Sequence, residues 1–295
     1  MISMNKITFS ILLVILIPSI FFAQNNKAFM PDNDKPKKIK GYELVWHDEF
    51  NYNGKPDSLK WNHEIGFVRN EELQWYQSDN AVCKNGVLLI EGKRETKLNT
   101  AYDSLSENWR LNRKYANYTS ASINTDKKAS WKFGRFEIRA RIDSTKGSWP
   151  AIWTLGVDKP WPANGEIDIL EFYIKNNKQS ILANAAYLND KNGPLWDSTV
   201  IPLKYFLDQD PKWVEKFHVW RMDWDKESIK LYLDDYLVNI IALEDTINPD
   251  GFNPFLQKHF LLLNLAIGSN GGNPENSKFP IQYEVDYVRV YQKKE

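Results

Sequence analysis

The chain has 295 residues with 38 basic and 38 acidic side chains, so its formal charge is zero. That balance gives no footing for nucleic-acid binding, which depends on concentrated positive charge. One cysteine, Cys83, excludes an intramolecular disulfide and a zinc thiolate cluster, so stability has to come from the core.

Residues 1–23 carry the pattern of an export signal. Lys6 gives a positive start, the apolar run Ile7 to Phe22 is broken by Pro18, and the small Ala23 precedes Gln24. The run is too short and too interrupted for a membrane span, so none is expected after signal removal. A secreted, periplasmic or cell-surface location follows. Residues 24–40 are rich in Lys, Asn, Asp and Pro, which predicts a flexible linker. Residues 41–295 have the size of one large β-sandwich without internal repeats, expected to act as a monomer.

Period-two patterning dominates this stretch. Phe136, Ile138, Ala140 and Ile142 alternate with Arg135, Glu137, Arg139 and Arg141, as in a strand with one wet face. Ile229, Leu231 and Leu233 repeat the pattern, and Asp234-Asp235 predicts a turn into Tyr236 to Leu243. Val87 to Ile90, Phe260 to Leu265 and Val285 to Tyr291 read as shorter strands, and Asp210 to Phe217 as a short helix begun by Pro211. Short strands between Gly, Pro and Asn turns predict an all-β fold of two antiparallel sheets.

The chemistry concentrates in Gly165-Glu166-Ile167-Asp168-Ile169-Leu170-Glu171-Phe172-Tyr173. On a strand, Glu166 and Asp168 share one face while Ile167 and Ile169 face the core. Glu171 breaks the parity. Either the strand ends near Leu170, leaving a solvated loop acid, or a β-bulge at Ile169-Leu170 returns Glu171 to the acid face and buries Phe172. The bulge would gather three carboxyls, and acids so close cannot all ionise, so one keeps its proton at neutral pH. A carboxylate and a carboxylic acid roughly 5 Å apart are what retaining glycoside hydrolysis needs.

The flanks are as informative. Gly147-Ser148-Trp149-Pro150-Ala151-Ile152-Trp153 and Trp161-Pro162-Ala163-Asn164-Gly165 precede the acids. Tyr42 to Phe50, Asn70 to Tyr76, Phe133 to Ala140, Leu263 to Gly268 and Val285 to Tyr291 complete the set. Together, in order, these segments resemble glycoside hydrolase family sixteen, the group of laminarinases, lichenases, agarases and carrageenases. The resemblance implies a concanavalin-like β-jelly roll with a substrate cleft on its concave face. It implies Glu166 as nucleophile, Glu171 as acid/base and Asp168 as the partner that orients Glu166. The polysaccharide would be cleaved with retention, with no cofactor required for catalysis.

Twelve Trp, 14 Tyr and 15 Phe are a heavy aromatic load. Most fill the core. Trp149, Trp153 and Trp161 flank the acids and are candidates for stacking on sugar rings, with Asn70 as a polar contact. The resemblance also implies a structural Ca2+ on the convex face, held by Glu49 and Asp286. One departure bears on substrate. Many laminarinases carry a His-Gly-x-x-His strand after the acids, whereas here the chain reads Ile181-Leu182-Ala183-Asn184-Ala185-Ala186-Tyr187. Asn184 or Trp196 is then the candidate in place of the missing histidine. A laminarinase-like β-1,3(4)-glucanase is expected. A β-galactanase of agarase, carrageenase or mucin-glycan type is the alternative, and a sugar-binding lectin a third reading with no use for the three acids.

Overall fold

Alternating apolar residues build two antiparallel sheets that close on one core in a jelly-roll order. The computed structural model describes residues 27–294, so the expected export signal lies outside the described residues. The seven-stranded sheet runs, edge to edge, through Pro194–Pro202, Lys178–Leu188, Glu166–Lys175, Ser148–Gly156, His259–Ile267, Ser122–Asn124 and Asn62–His63. The other runs through Tyr236–Ala242, Ser228–Leu233, His218–Trp224, Gly134–Arg141, Ile281–Lys293, Val87–Gly92 and Ala81–Lys84. Tyr42–Asp48 is added against Ile281–Lys293.

The inward residues of Gly134–Arg141 meet those of the opposite sheet: Phe136, Ile138 and Ala140 share a core with Ile152, Ile167 and Phe172. The outward side chains of the same strand form ion pairs. Arg135 forks onto Asp223 at 2.6 and 2.9 Å, and Arg141 Nε lies 2.6 Å from Glu284. Asp234-Asp235 makes the expected turn.

Two expectations are corrected. The helix comes earlier, at Leu203–Leu207, and Trp213–Glu215 forms only a 3-10 turn. Asp210 explains the difference: its carboxylate accepts from the Lys212 N–H at 3.1 Å and pairs with Lys216 at 2.6 Å, which favours a turn over a helix. The described part of the linker is also docked rather than loose. Arg139 donates to the carbonyls of Met30 (3.0 Å) and Lys27 (2.6 Å), Phe217 N–H to that of Ala28 (2.7 Å), and Arg289 to that of Asp34 (3.1 Å). This stretch is held by its backbone carbonyls and by the half-buried Phe29 and Pro31, which its overall composition does not reveal.

Candidate active site

The acidic strand, Glu166–Lys175, carries a bulge. Asp168 lies opposite Asn184 and Glu171 opposite Leu182, so three steps on this strand meet two on its neighbour. On the other side Asp168 pairs with Trp153 and Leu170 with Ile152. One extra residue is thereby absorbed around Ile169, and Ile167, Ile169, Leu170 and Phe172 all enter the core. Glu166, Asp168 and Glu171 are left together on the outer face. Gly165 starts the strand at φ +76, where a Cβ would come within 2.7 Å of Pro254.

Each acid has its own donors. Trp161 Nε1 donates to Glu166 Oε2 at 2.6 Å, and Trp149 Nε1 to Glu171 Oε1 at 3.0 Å. Asn184 Nδ2 bridges the other two, 3.2 Å from Asp168 Oδ2 and 3.1 Å from Glu171 Oε2. The Ser198 hydroxyl donates to Asn184 Oδ1, so the amide is turned with its N–H groups towards the acids.

Burial raises all three carboxyls above their ordinary range. Glu171 is pushed up to about 8, by burial first and by the Glu166 charge second, against the Trp149 and Asn184 hydrogen bonds. Asp168, sealed beneath the floor, is raised well above its usual value by burial and by both glutamates. Glu166 is raised by burial alone, and its hydrogen bonds with Asp168 and Trp161 and the Arg69 charge oppose the shift. Neighbouring carboxylate charge thus pushes Glu171 and Asp168 further towards the protonated form, whereas Glu166 has no raising cause beyond burial.

A cleft of about 510 Å3 lies over this face. Trp149 and Trp153 rise into it from the adjacent strand, Trp161 from the loop before the acids, Trp196 from the edge strand and Asn70 from the opposite wall. Asn184 sits beneath the floor, buried, and touches the acids instead of lining the cleft. Trp153 is anchored as well, donating to Asn264 Oδ1 at 2.7 Å under the Arg69 guanidinium, 5.0 Å from its ring. Arg69, Glu72 and Arg110 complete the far wall. Sequence spacing gave no sign of these three, because loops bring them over the sheet from distant positions. Glu72 is buried, held by Gln74 at 2.6 Å and Asn70 at 3.3 Å, and burial raises its carboxyl.

The calcium expectation does not fit. Asp286 is occupied by the Arg139 guanidinium at 2.5 Å and by Asp32 N–H at 3.0 Å, while Glu49 forks onto Arg289 at 3.0 and 2.7 Å. Each proposed ligand already has a built-in cation, so the two do not form one oxygen cage. No group of three or more His, Cys, Asp or Glu suited to a metal occurs among the described residues. His218 lies in the other sheet, stacked on Trp213 at 4.1 Å. His259 is buried against Pro254 O at 2.9 Å, and burial lowers it to about 4.

The profile of Glycosyl hydrolases family 16 matches residues 73–289. A beta-glucanase of Rhodothermus marinus is 35% identical over 278 residues, 89% of each chain. The solved laminarinase from Rhodothermus marinus superposes with a TM-score of 0.68 at 38% identity, covering 86% of this chain and 98% of its own. A structure reported with endo-acting O-glycanases, by which members of the human gut microbiota initiate mucin breakdown, gives 0.80 at 35% identity, covering 88% and 94%.

Proposed function

The chain belongs to glycosyl hydrolases family 16, and from that premise we propose how its three acids divide the reaction. It is a glycosidase, an endo-acting β-glycanase of laminarinase-like type. Glu166 attacks the anomeric carbon as nucleophile while Glu171 gives its proton to the departing glycosidic oxygen. The bond breaks and a glycosyl-enzyme ester remains on Glu166. Glu171, now a carboxylate, takes a proton from water. The resulting hydroxyl group attacks the same carbon, Glu166 leaves, and the β configuration is retained. Asp168, neutral under the floor, shares its proton with Glu166 and steadies it as a leaving carboxylate. These steps use carboxyl groups and water alone.

The observation that carries this reading is the bulge, which sets Glu166 and Glu171 on one face in different environments. The test follows the anomeric form of the first product by NMR, with Glu166→Gln as companion. Retention is expected, together with loss of turnover by about 10³-fold or more in the variant at unchanged melting temperature. An inverted first product, or an active variant, refutes the assignment.

For substrate we take a β-1,3(4)-glucan first. The second reading, a β-galactoside of mucin-glycan type, is favoured by Asn184, which stands against Asp168 and Glu171 where a histidine is expected, and by the likeness to the O-glycanase structure. Hydrolysis of laminarin, lichenan, agarose, carrageenan and mucin glycans separates them. The same reading has the protein leave the cytoplasm, on the strength of the leader-like pattern of residues 1–23. No helix among the described residues is long and apolar enough to cross a membrane.

A further inference from the structure

The cleft has two unlike walls. At one edge of the sheet stands Trp196, then come the acids, and beyond the strand His259–Ile267 the opposite wall rises. That wall is fixed to the sheet by Leu73 N–H on Ile267 O at 2.9 Å and by Gln74 Oε1 accepting from Ile267 N–H at 2.7 Å. Its top is formed by residues 99–114, a segment tied to itself where Asn99 Nδ2 donates to the carbonyls of Arg110 and Arg113 at 2.8 and 2.9 Å.

The charges on this wall are unequal. Arg69 is neutralised by Glu64, which grips its Nη2. Arg113 spends its nitrogens on the uncharged carbonyls of Glu72 (2.6 Å) and Glu71 (3.0 Å), and the Glu71 carboxylate is the one acid that tempers it. Arg110 lines the cleft itself. Its Nε and Nη2 converge on the Val68 carbonyl at 2.9 and 2.6 Å, and its guanidinium lies 4.5 Å from the Trp109 ring centroid. Among the described residues its guanidinium makes no ion pair, and Nη1 has no acceptor. An arginine held by a carbonyl and an aromatic face, with its charge uncompensated and one edge free, is preorganised for an anion.

Resting on the glycanase reading, we propose that the Arg110 wall is a subsite for an anionic substituent of the glycan, a sulfate ester or a carboxylate, so that substituted chains are preferred over neutral ones. Arg113 adds field there without contacting the ligand. Asn70, on the same wall, and Asn270, elsewhere on the cleft lining, supply neutral donors and acceptors for the sugar that bears the charge.

The experiment uses the Glu166→Gln chain, so that binding is read apart from turnover. The probes are laminari-oligosaccharides and lactosamine-repeat oligosaccharides, each in neutral, sulfated and carboxylated form. At low ionic strength at least one anionic form is expected to bind about fivefold or more tighter than its neutral match, the size of one partly exposed charge-assisted contact. The advantage should shrink with added salt, vanish in Glu166→Gln/Arg110→Met, and survive in part with Arg110→Lys. Whichever of sulfate and carboxylate loses more on Arg110→Met names the group. Equal binding of neutral and anionic forms, or an advantage untouched by Arg110→Met in a normally melting protein, overturns the proposal. Hydrolysis of the same six probes by the unaltered enzyme is scored separately. If none is cut although Arg110 discriminates, the glycanase reading fails and the subsite stands.

Discussion

Trp149 Nε1 stands 3.0 Å from Glu171 Oε1, so an indole that lines the cleft also donates to the acid that must protonate the leaving group. Donation stabilises the ionised form, so the contact holds Glu171 below where burial alone would put it, and the balance falls at about 8. Activity needs Glu171 protonated and Glu166 ionised. The kcat/KM profile should therefore rise as Glu166 loses its proton above the usual carboxylate range, and fall as pH passes about 8. Trp149→Phe keeps the aromatic plane and deletes the donor. Its alkaline limb should move up by roughly one unit, the worth of one charge-assisted hydrogen bond. A limb that stays in place would show that Trp149 serves sugar stacking only.

The same shift has a consequence for stability. Glu171 has a folded-state value above the 4.5 of an ordinary glutamic acid. Between the two values the folded chain keeps a proton that the unfolded chain has released. The stabilisation is complete at acid pH and declines as pH climbs from about 4.5 to about 8. Glu171→Gln carries no such proton, so its stability relative to the native chain should improve across that window. The gain should reach about 1–2 kcal/mol by pH 9, less than full linkage allows because the amide forfeits one hydrogen bond. Melting curves of both proteins at a series of pH values check it. Parallel curves reject it.

Much of this centre was legible in the sequence because a strand has period two and a bulge is the one simple way to bring a residue five positions on back to the same face. Spacing puts Glu166 and Asp168 on one face and leaves Glu171 to either a bulge or a loop, and the structure takes the bulge. Trp149 and Trp153 are signalled only by flanking the acids and by the family resemblance, and they stand on the adjacent strand Ser148–Gly156. Arg69, Glu72 and Arg110 reach the cleft from loops whose position depends on contacts with Ile267 and Val68, and no periodicity encodes that. The calcium expectation met the same obstacle. Arg139 lies 147 positions before Asp286, and only the pairing of Gly134–Arg141 with Ile281–Lys293 puts guanidinium and carboxylate together.

Ser198 is the least conspicuous part of the centre and the easiest to test. By donating to Asn184 Oδ1 it leaves that amide one productive orientation, with Nδ2 towards Asp168 and Glu171. In Ser198→Ala the amide is free to turn its oxygen to the acids. Both then lose a donor, and the raised Glu171 rises further. A drop in kcat of about tenfold with little change in KM is expected, with the alkaline limb displaced upward. Ser198→Thr, which keeps the hydroxyl, should restore the limb. Loss of activity at an unmoved limb would make Ser198 a packing residue.

Arg139 supplies the cation on the other sheet. Its side chain and that of Asp286 are both buried; Nη1, which contacts Asp286, also holds the Met30 carbonyl, and Nη2 holds that of Lys27. Arg139→Met removes the charge but keeps most of the apolar stem, leaving a buried carboxylate without its cation and with only the Asp32 N–H as donor. The expected cost is about 3 kcal/mol, and Arg139→Met/Asp286→Leu should recover much of it because the orphaned charge goes too. The segment Lys27–Asp34 should become more readily cleaved by a protease in both variants, since the Arg139 donors to the Lys27 and Met30 carbonyls are lost in both. Because the site already contains its positive charge, excess Ca2+ or a chelator should leave the melting temperature of the native chain unchanged. A rise of several degrees with Ca2+ would mean that the arginine yields its place to a metal, and the ion-pair account of this face would fall.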